Sequence, residues 1–143
     1  FENKIEKVTP KNTLNAHFMS LKSCGLSRQK ISYLKSLATG FINRDIKPQK
    51  WKNYSDEEII EELIKIKGIG RWTAEMFLIF NLCRPDVFPV DDLGVLKGIC
   101  ICYNIKYPIT KEHAIRISNK WKPYRSVATW YLWRSLDPIP VEY

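Results

Sequence analysis

The sequence predicts an all-α fold, and three observations carry that prediction. Apolar residues recur at three- and four-residue spacing over most of the chain, capping residues stand where those segments begin, and no stretch alternates as a half-buried strand would. At 143 residues, with 45% hydrophobic and 13% aromatic content, the chain can bury a core and is not a disordered tail.

The elements follow in order. Thr9 before Pro10 is an N-cap with proline at the first helical position, and Gly25 suits a helix end, so a first helix is expected from about 10 to 23. Ser27 caps a second, in which Ile31, Leu34, Leu37, Ala38 and Phe41 form an apolar stripe that Gly40 weakens by roughly 1 kcal/mol. Residues 47 to 54, with Pro48, read as a polar loop ending at Ser55, which forms a capping box with Glu58. The third helix buries Ile59, Ile60, Leu63 and Ile64 and stops at Gly68. A fourth, from about 71 to 82, is apolar on most sides and therefore central. Pro85 and Pro89 make 83 to 91 an extended connection, after which Asp92 opens a fifth helix. Thr110 caps a sixth, Pro123 opens a last one from about 123 to 136, and Val141 to Tyr143 is a loose tail.

No apolar run approaches the roughly 20 residues of a membrane span, and the start Phe1, Glu2, Asn3, Lys4 has no signal-peptide pattern. An intracellular protein is expected, in the cytoplasm or nucleoid if bacterial, and the initial phenylalanine is read as the start of a fragment of a longer chain. The formal charge of +8 favours an anionic partner, nucleic acid being the usual one. Cys24, Cys83, Cys100 and Cys102 have neither zinc-site nor iron-sulfur spacing and are read as reduced thiols. His17 and His113 lie far apart, so no transition-metal site is expected.

Two motifs carry chemistry. In Lys67, Gly68, Ile69, Gly70, Arg71, Trp72, Thr73 one helix ends and the next begins within a few residues, which calls for glycines with positive φ and close approach. The N–H groups from about Gly70 to Thr73 suit a phosphate oxygen, and bare positions 68 and 70 let a DNA backbone come near. The outward carbonyls around Ile64, Ile66 and Ile69 can ligate Na+ or K+. By themselves these glycines also fit an ordinary αα-corner. In the second motif, Pro89, Val90, Asp91, Asp92, one aspartate is a helix cap and the other is available. A carboxylate facing a nucleotide C1′ stabilises the positive charge that builds as an N-glycosidic bond breaks, or orients a water.

Five tryptophans add stacking surface, with Trp72 just past the glycine turn and Trp130 and Trp133 on the last helix. An indole attracts an alkylated, cationic base by roughly 0.5 to 2 kcal/mol more than a neutral one. Among the basic residues, Arg71, Lys97, Lys120, Lys122 and Arg125 are the expected DNA contacts.

Gly68 to Ala74, Val87 to Gly94, and Trp121, Lys122, Pro123, Tyr124, Arg125, Ser126 together resemble the helix-hairpin-helix (HhH-GPD) DNA glycosylase superfamily, in its 3-methyladenine DNA glycosylase II branch. The resemblance implies one helical glycosylase domain over 1–143, a fragment lacking the family's N-terminal helices. Its subdomains are expected at 1–82, ending in the hairpin 64–73, and at 83–143. It implies that Asp92 is catalytic, that Asp91 caps or orients, and that Trp133 lines the base pocket with Trp72. Residues 68 to 73 then bind phosphate. Strand-cutting members of the superfamily place a lysine where this chain has Trp72, and an indole cannot form a Schiff base. The expected function is a monofunctional alkylpurine glycosylase of base excision repair, a monomer acting on damaged double-stranded DNA with no required cofactor. The alternatives are a noncatalytic DNA-binding module and, against Trp72, a bifunctional glycosylase and lyase.

Overall fold

A computed structural model describes residues 7–137, and all regular structure among them is helical. The α-helices are α1 (Pro10–Asn15), α2 (Phe18–Ser23), α3 (Arg28–Ile42), α4 (Asp56–Leu63), α5 (Arg71–Phe80), α6 (Leu93–Cys102), α7 (Lys111–Ser118) and α8 (Arg125–Arg134). Short 3-10 helices occupy Pro48–Asn53 and Asn119–Trp121. The tail expected at Val141 to Tyr143 lies outside the described residues.

The chain divides into two compact units, Phe1–Ala74 and Glu75–Tyr143. The division falls inside α5 rather than at the expected 82/83 boundary. Phe80, near the end of that helix, stacks on Trp133 of α8, which is why the later part of α5 groups with the residues that follow it.

In the first unit, the helix expected from 10 to 23 is two helices. Ala16 is extended (φ −60°, ψ 133°), and His17 caps α2 by accepting the Met19 N–H at Nδ1. Residues two apart face opposite sides of a continuous helix, but here Ala16 and Phe18 both pack against buried Leu21 and Ile31. The break lets them share that cluster. α3 begins at its Ser27 cap as expected, and the Ser55–Glu58 capping box is formed in both directions. Where a polar loop is expected at 47–54, Pro48–Asn53 forms a 3-10 turn with buried Trp51. Its anchor is buried Glu62, whose Oε1 accepts both the Lys47 N–H (2.6 Å) and the Trp51 indole N–H (2.8 Å).

α4 ends at Leu63, not Gly68, because the chain turns to bury Ile66. A Cβ on Gly40 of α3 would lie 2.5 Å from Ile66 Cδ1, so the glycine that weakens α3 also makes room for the turn. In the second unit, Val95, Leu96, Ile99, Cys100, Ile109, Ala114, Ile117 and Leu132 form the core. α6 and α8 pack closely because Gly98 has no side chain: a Cβ there would lie 2.9 Å from the Leu132 carbonyl oxygen.

Candidate active site

The hairpin belongs to the first unit. Gly68 has φ +96°, and a Cβ on it would lie 2.1 Å from Tyr33 Cγ, so no L-residue fits there without rebuilding the turn. Gly70 differs. It is not among the positive-φ glycines, contrary to expectation, and a Cβ on it would meet nothing within 4 Å. Its bareness answers no packing need among the described residues and leaves that side of the turn open. The first α5 bond runs from the Ala74 N–H to the Gly70 carbonyl (3.0 Å), so the N–H groups of the first turn stand ahead of the helical ladder. Trp72 and Thr73 are exposed on that turn. The Ile66 carbonyl, one of three expected to hold a cation, accepts the Ile69 N–H at 3.0 Å.

Arg71 is not turned simply to solvent. Its Nη1 and Nη2 donate to Glu57 Oε1 and Oε2, each at 2.7 Å. That guanidinium holds the Glu57 carboxyl below the usual carboxylate range.

Asp92 and Trp133 belong to the second unit. Asp92 is the N-cap of α6, extended at φ −77°, ψ 114°, and its Oδ1 accepts the Val95 N–H at 2.8 Å and the Trp133 indole N–H at 3.1 Å. The expectation that Asp91 caps is therefore corrected. Asp92 is the residue directly before the first helical one, whereas Asp91, a position earlier, is exposed and ion-paired with Lys111 at the start of α7.

Two further features fix the Asp92–Trp133 pair. The Trp133 ring stacks on Phe80, with centroids 5.8 Å apart and planes 18° from parallel, so one indole face is occupied. Gly94 keeps the edge clear, since a Cβ there would lie 3.1 Å from Asp92 Oδ1 and 3.2 Å from Trp133 Cδ1.

The connection leading to Asp92 is tied to the start of α8. Ser126 Oγ donates to the Arg84 carbonyl (2.6 Å) and accepts the Val87 N–H (2.9 Å), while the Ser126 N–H reaches the Pro85 carbonyl (2.9 Å). Arg125 donates through Nε and Nη2 to the two Asp86 carboxylate oxygens, at 2.7 and 2.9 Å, and through Nη2 to the Asp86 carbonyl. Hydrogen bonding from the Arg125 guanidinium is the main reason the Asp86 carboxyl is held low. Arg125, expected at DNA, is thus a clamp inside the second unit. Lys97, Lys120 and Lys122 are exposed.

The cysteines are free thiols, with Cys100 buried and Cys83 and Cys102 exposed. Sequence reasoning missed Tyr33, Glu57, Asp86, Gly94 and Lys111. A faint signal existed for Asp86 and Lys111, which are opposite in sign to the basic and acidic residues of the motifs they hold.

Comparison with known proteins agrees with this architecture. The model of the HhH-GPD superfamily base excision DNA repair protein matches residues 1–123. DNA-3-methyladenine glycosylase 1 of Schizosaccharomyces pombe is 41% identical over 128 residues, covering 89% of this chain and 56% of that protein. A solved structure of the 3-methyladenine DNA glycosylase of that yeast, in complex with abasic DNA, superposes with a TM-score of 0.80, covering 89% of this chain and 62% of that one. A DNA-3-methyladenine glycosidase structure from Bacillus halodurans, 31% identical, gives 0.85 over 94% of this chain and 63% of that one. The chain therefore spans only about 56% to 63% of these relatives. With all three hairpin, aspartate and α8-start motifs present and the family model matched over most of its length, the chain belongs to the HhH-GPD superfamily of base excision DNA repair proteins.

Proposed function

We propose that the protein is a monofunctional DNA glycosylase that hydrolyses the N-glycosidic bond of alkylated purines such as 3-methyladenine in double-stranded DNA. The observation that carries this is Asp92, whose Oδ1 is fixed by the Val95 and Trp133 N–H groups at the head of α6. A carboxylate so held is oriented before substrate arrives.

As the C1′–N bond breaks, its electron pair leaves with the base, which departs neutral because alkylation made it cationic. Positive charge builds on the sugar, and water supplies the oxygen that C1′ gains, its proton ending in solvent. A carboxylate about 4 Å from that charge, at an effective dielectric of about 20, contributes roughly 4 kcal/mol, or roughly a thousandfold in rate. Hydrolysis of this kind needs no redox group.

The hairpin N–H groups of residues 68 to 73 are assigned to a DNA phosphate, with Na+ or K+ on the Ile64, Ile66 and Ile69 carbonyls as an auxiliary charge. Trp133 is assigned to stacking on the excised base. Trp72, 48% exposed, has no amine, so the sugar cannot be captured as a Schiff base and an abasic site is the product. The resemblance to the glycosylase II branch supports that assignment. Among the described residues no helix is long and apolar enough to cross a membrane.

The test is release of methylated base from duplex DNA by the wild type and by Asp92→Asn. The expected loss in the variant is roughly a thousandfold. A wild type that binds the duplex and releases no base would identify a DNA-binding module instead, and an Asp92→Asn variant as fast as wild type would remove the carboxylate from the chemistry.

A further inference from the structure

The group at the hairpin that the proposed chemistry does not use is Glu57. It stands in the first turn of α4, where Asp56, Glu57 and Glu58 follow the Ser55 cap. Glu58 closes the capping box through Ser55 N–H and Oγ, at 2.7 and 2.8 Å, so Glu57 is not needed for the cap. Its carboxylate instead spans to Arg71 and accepts both guanidinium prongs at 2.7 Å. Arg71 is the first residue of α5 and directly follows Gly70, whose Cα has open space around it.

An arginine that presents two parallel N–H groups is matched in shape by a carboxylate and by a phosphate alike. Both members of the pair are about half exposed, 47% for Arg71 and 55% for Glu57, so neither is locked in by burial. A carboxylate beside a phosphate grip works against it, because it repels the ligand and occupies the prongs the ligand would take. An exposed ion pair is also weak enough to be exchanged when DNA arrives.

We propose that Glu57 is an internal rival of DNA phosphate for Arg71, so that the hairpin's grip on undamaged duplex is held down by its own acidic neighbour. This rests on the assignment of residues 68 to 73 as the phosphate grip. In free protein the guanidinium sits on Glu57, and on undamaged duplex it stays there, exchanging the carboxylate for a phosphate only once a flipped base adds its own contacts. Glu57 acts through Arg71 and is a positioning residue. Weaker hold on undamaged duplex shortens the time spent there and favours sites where a flipped base adds its own contacts.

The experiment measures fluorescence anisotropy of an undamaged labelled duplex with wild type, Glu57→Gln, Arg71→Gln and the double variant, from 50 to 200 mM salt. Glu57→Gln is expected to bind roughly two- to fivefold tighter at the low-salt end, the scale of one exposed ion pair. Its log–log salt slope is expected to steepen by about 0.9, the signature of one added phosphate contact, which a general loosening of the fold would not produce. In the Arg71→Gln background the same change is expected to leave the slope where it was. Glu57→Ala, which also frees Arg71 but differs in helix preference, is expected to match Glu57→Gln. Equal or weaker binding by both Glu57 variants, or a slope change that persists without Arg71, overturns the proposal. If the wild type itself shows no salt-dependent binding, the phosphate-grip assignment fails; if it binds and the Glu57 variants match it, only the rivalry fails.

Discussion

The hairpin and the connection that delivers Asp92 are built by opposite means. At residues 68 to 73 the structure is surface: Gly70 and Thr73 are exposed, and the ion pair at Arg71 faces solvent on both sides. At residues 84 to 87 the backbone is bonded at each step to Arg125 or Ser126 at the start of α8, Val87 and Pro89 are buried, and the Arg125–Asp86 pair is only 22% and 29% exposed. The contrast follows from what each must do. A phosphate has to approach backbone N–H groups, so the hairpin must stay open, with Gly68 fitted under the Tyr33 ring. A carboxylate that stabilises developing charge has to be in place beforehand, so its approach is over-determined by hydrogen bonds.

The sharpest way to break this contrast is at Gly68. Gly68→Ala puts a Cβ against the Tyr33 ring at a φ of +96°, and is expected to cost roughly 2 to 5 kcal/mol from left-handed strain and overpacking. Gly70→Ala, with open space around it, is expected to stay within about 0.5 kcal/mol of wild type. Urea midpoints separate the two. If the glycines prove equally sensitive, the hairpin is held by more than Gly68 and the comparison with the second unit weakens.

The next effect tests the clamp. Asp86→Asn removes the charge that Arg125 grips and is expected to cost roughly 1.5 to 3 kcal/mol at pH 7. The Asp86 carboxyl is held below its ordinary value in the folded protein, principally by the bond from Arg125. Its contribution is therefore fully present above the unfolded value of about 3.9 and is lost as pH falls through the lowered folded value. The gap between wild type and Asp86→Asn is expected to shrink as pH is taken below about 4, which denaturant titrations at pH 7 and pH 3 would show. A gap that is constant with pH would mean that the carboxylate charge does not hold the connection.

How much of this could be read beforehand depends on the range of the interaction. Signals within four residues were legible: the caps at Thr9, Ser27 and Thr110, the Ser55–Glu58 box, the need for glycine at 68, and Asp92 at a helix start. What failed lay farther apart or depended on a neighbour. The break at Ala16 exists because Ala16 and Phe18 share a cluster with Ile31, which local periodicity does not see. Arg71 and Arg125 looked like free cations in a chain of charge +8, but each is matched to a carboxylate, one 14 residues away and the other 39. Formal charge therefore overstated what these two arginines offer to DNA before binding. Either aspartate of the 91–92 pair suits a cap chemically; backbone geometry decides, and only Asp92 immediately precedes α6.

The smallest effect concerns what Trp133 is for. Resemblance assigns it to the base, while its geometry also gives it a task toward Asp92: the indole N–H is on Oδ1, one face is on Phe80, and Gly94 leaves the edge open. Trp133→Phe keeps an aromatic ring beside Phe80 and deletes the N–H together with part of the indole. A hydrogen bond to a charged group is worth roughly 1.5 to 3 kcal/mol, though Val95 still holds the carboxylate, so a loss of about tenfold in the single-turnover rate of base release is expected, at the low end of that range. Stacking on the base should survive in the phenylalanine variant, so affinity for damaged duplex should change far less than the rate. A variant that loses affinity and keeps its rate would make Trp133 a stacking residue alone, with the Val95 N–H still holding the carboxylate at the α6 cap.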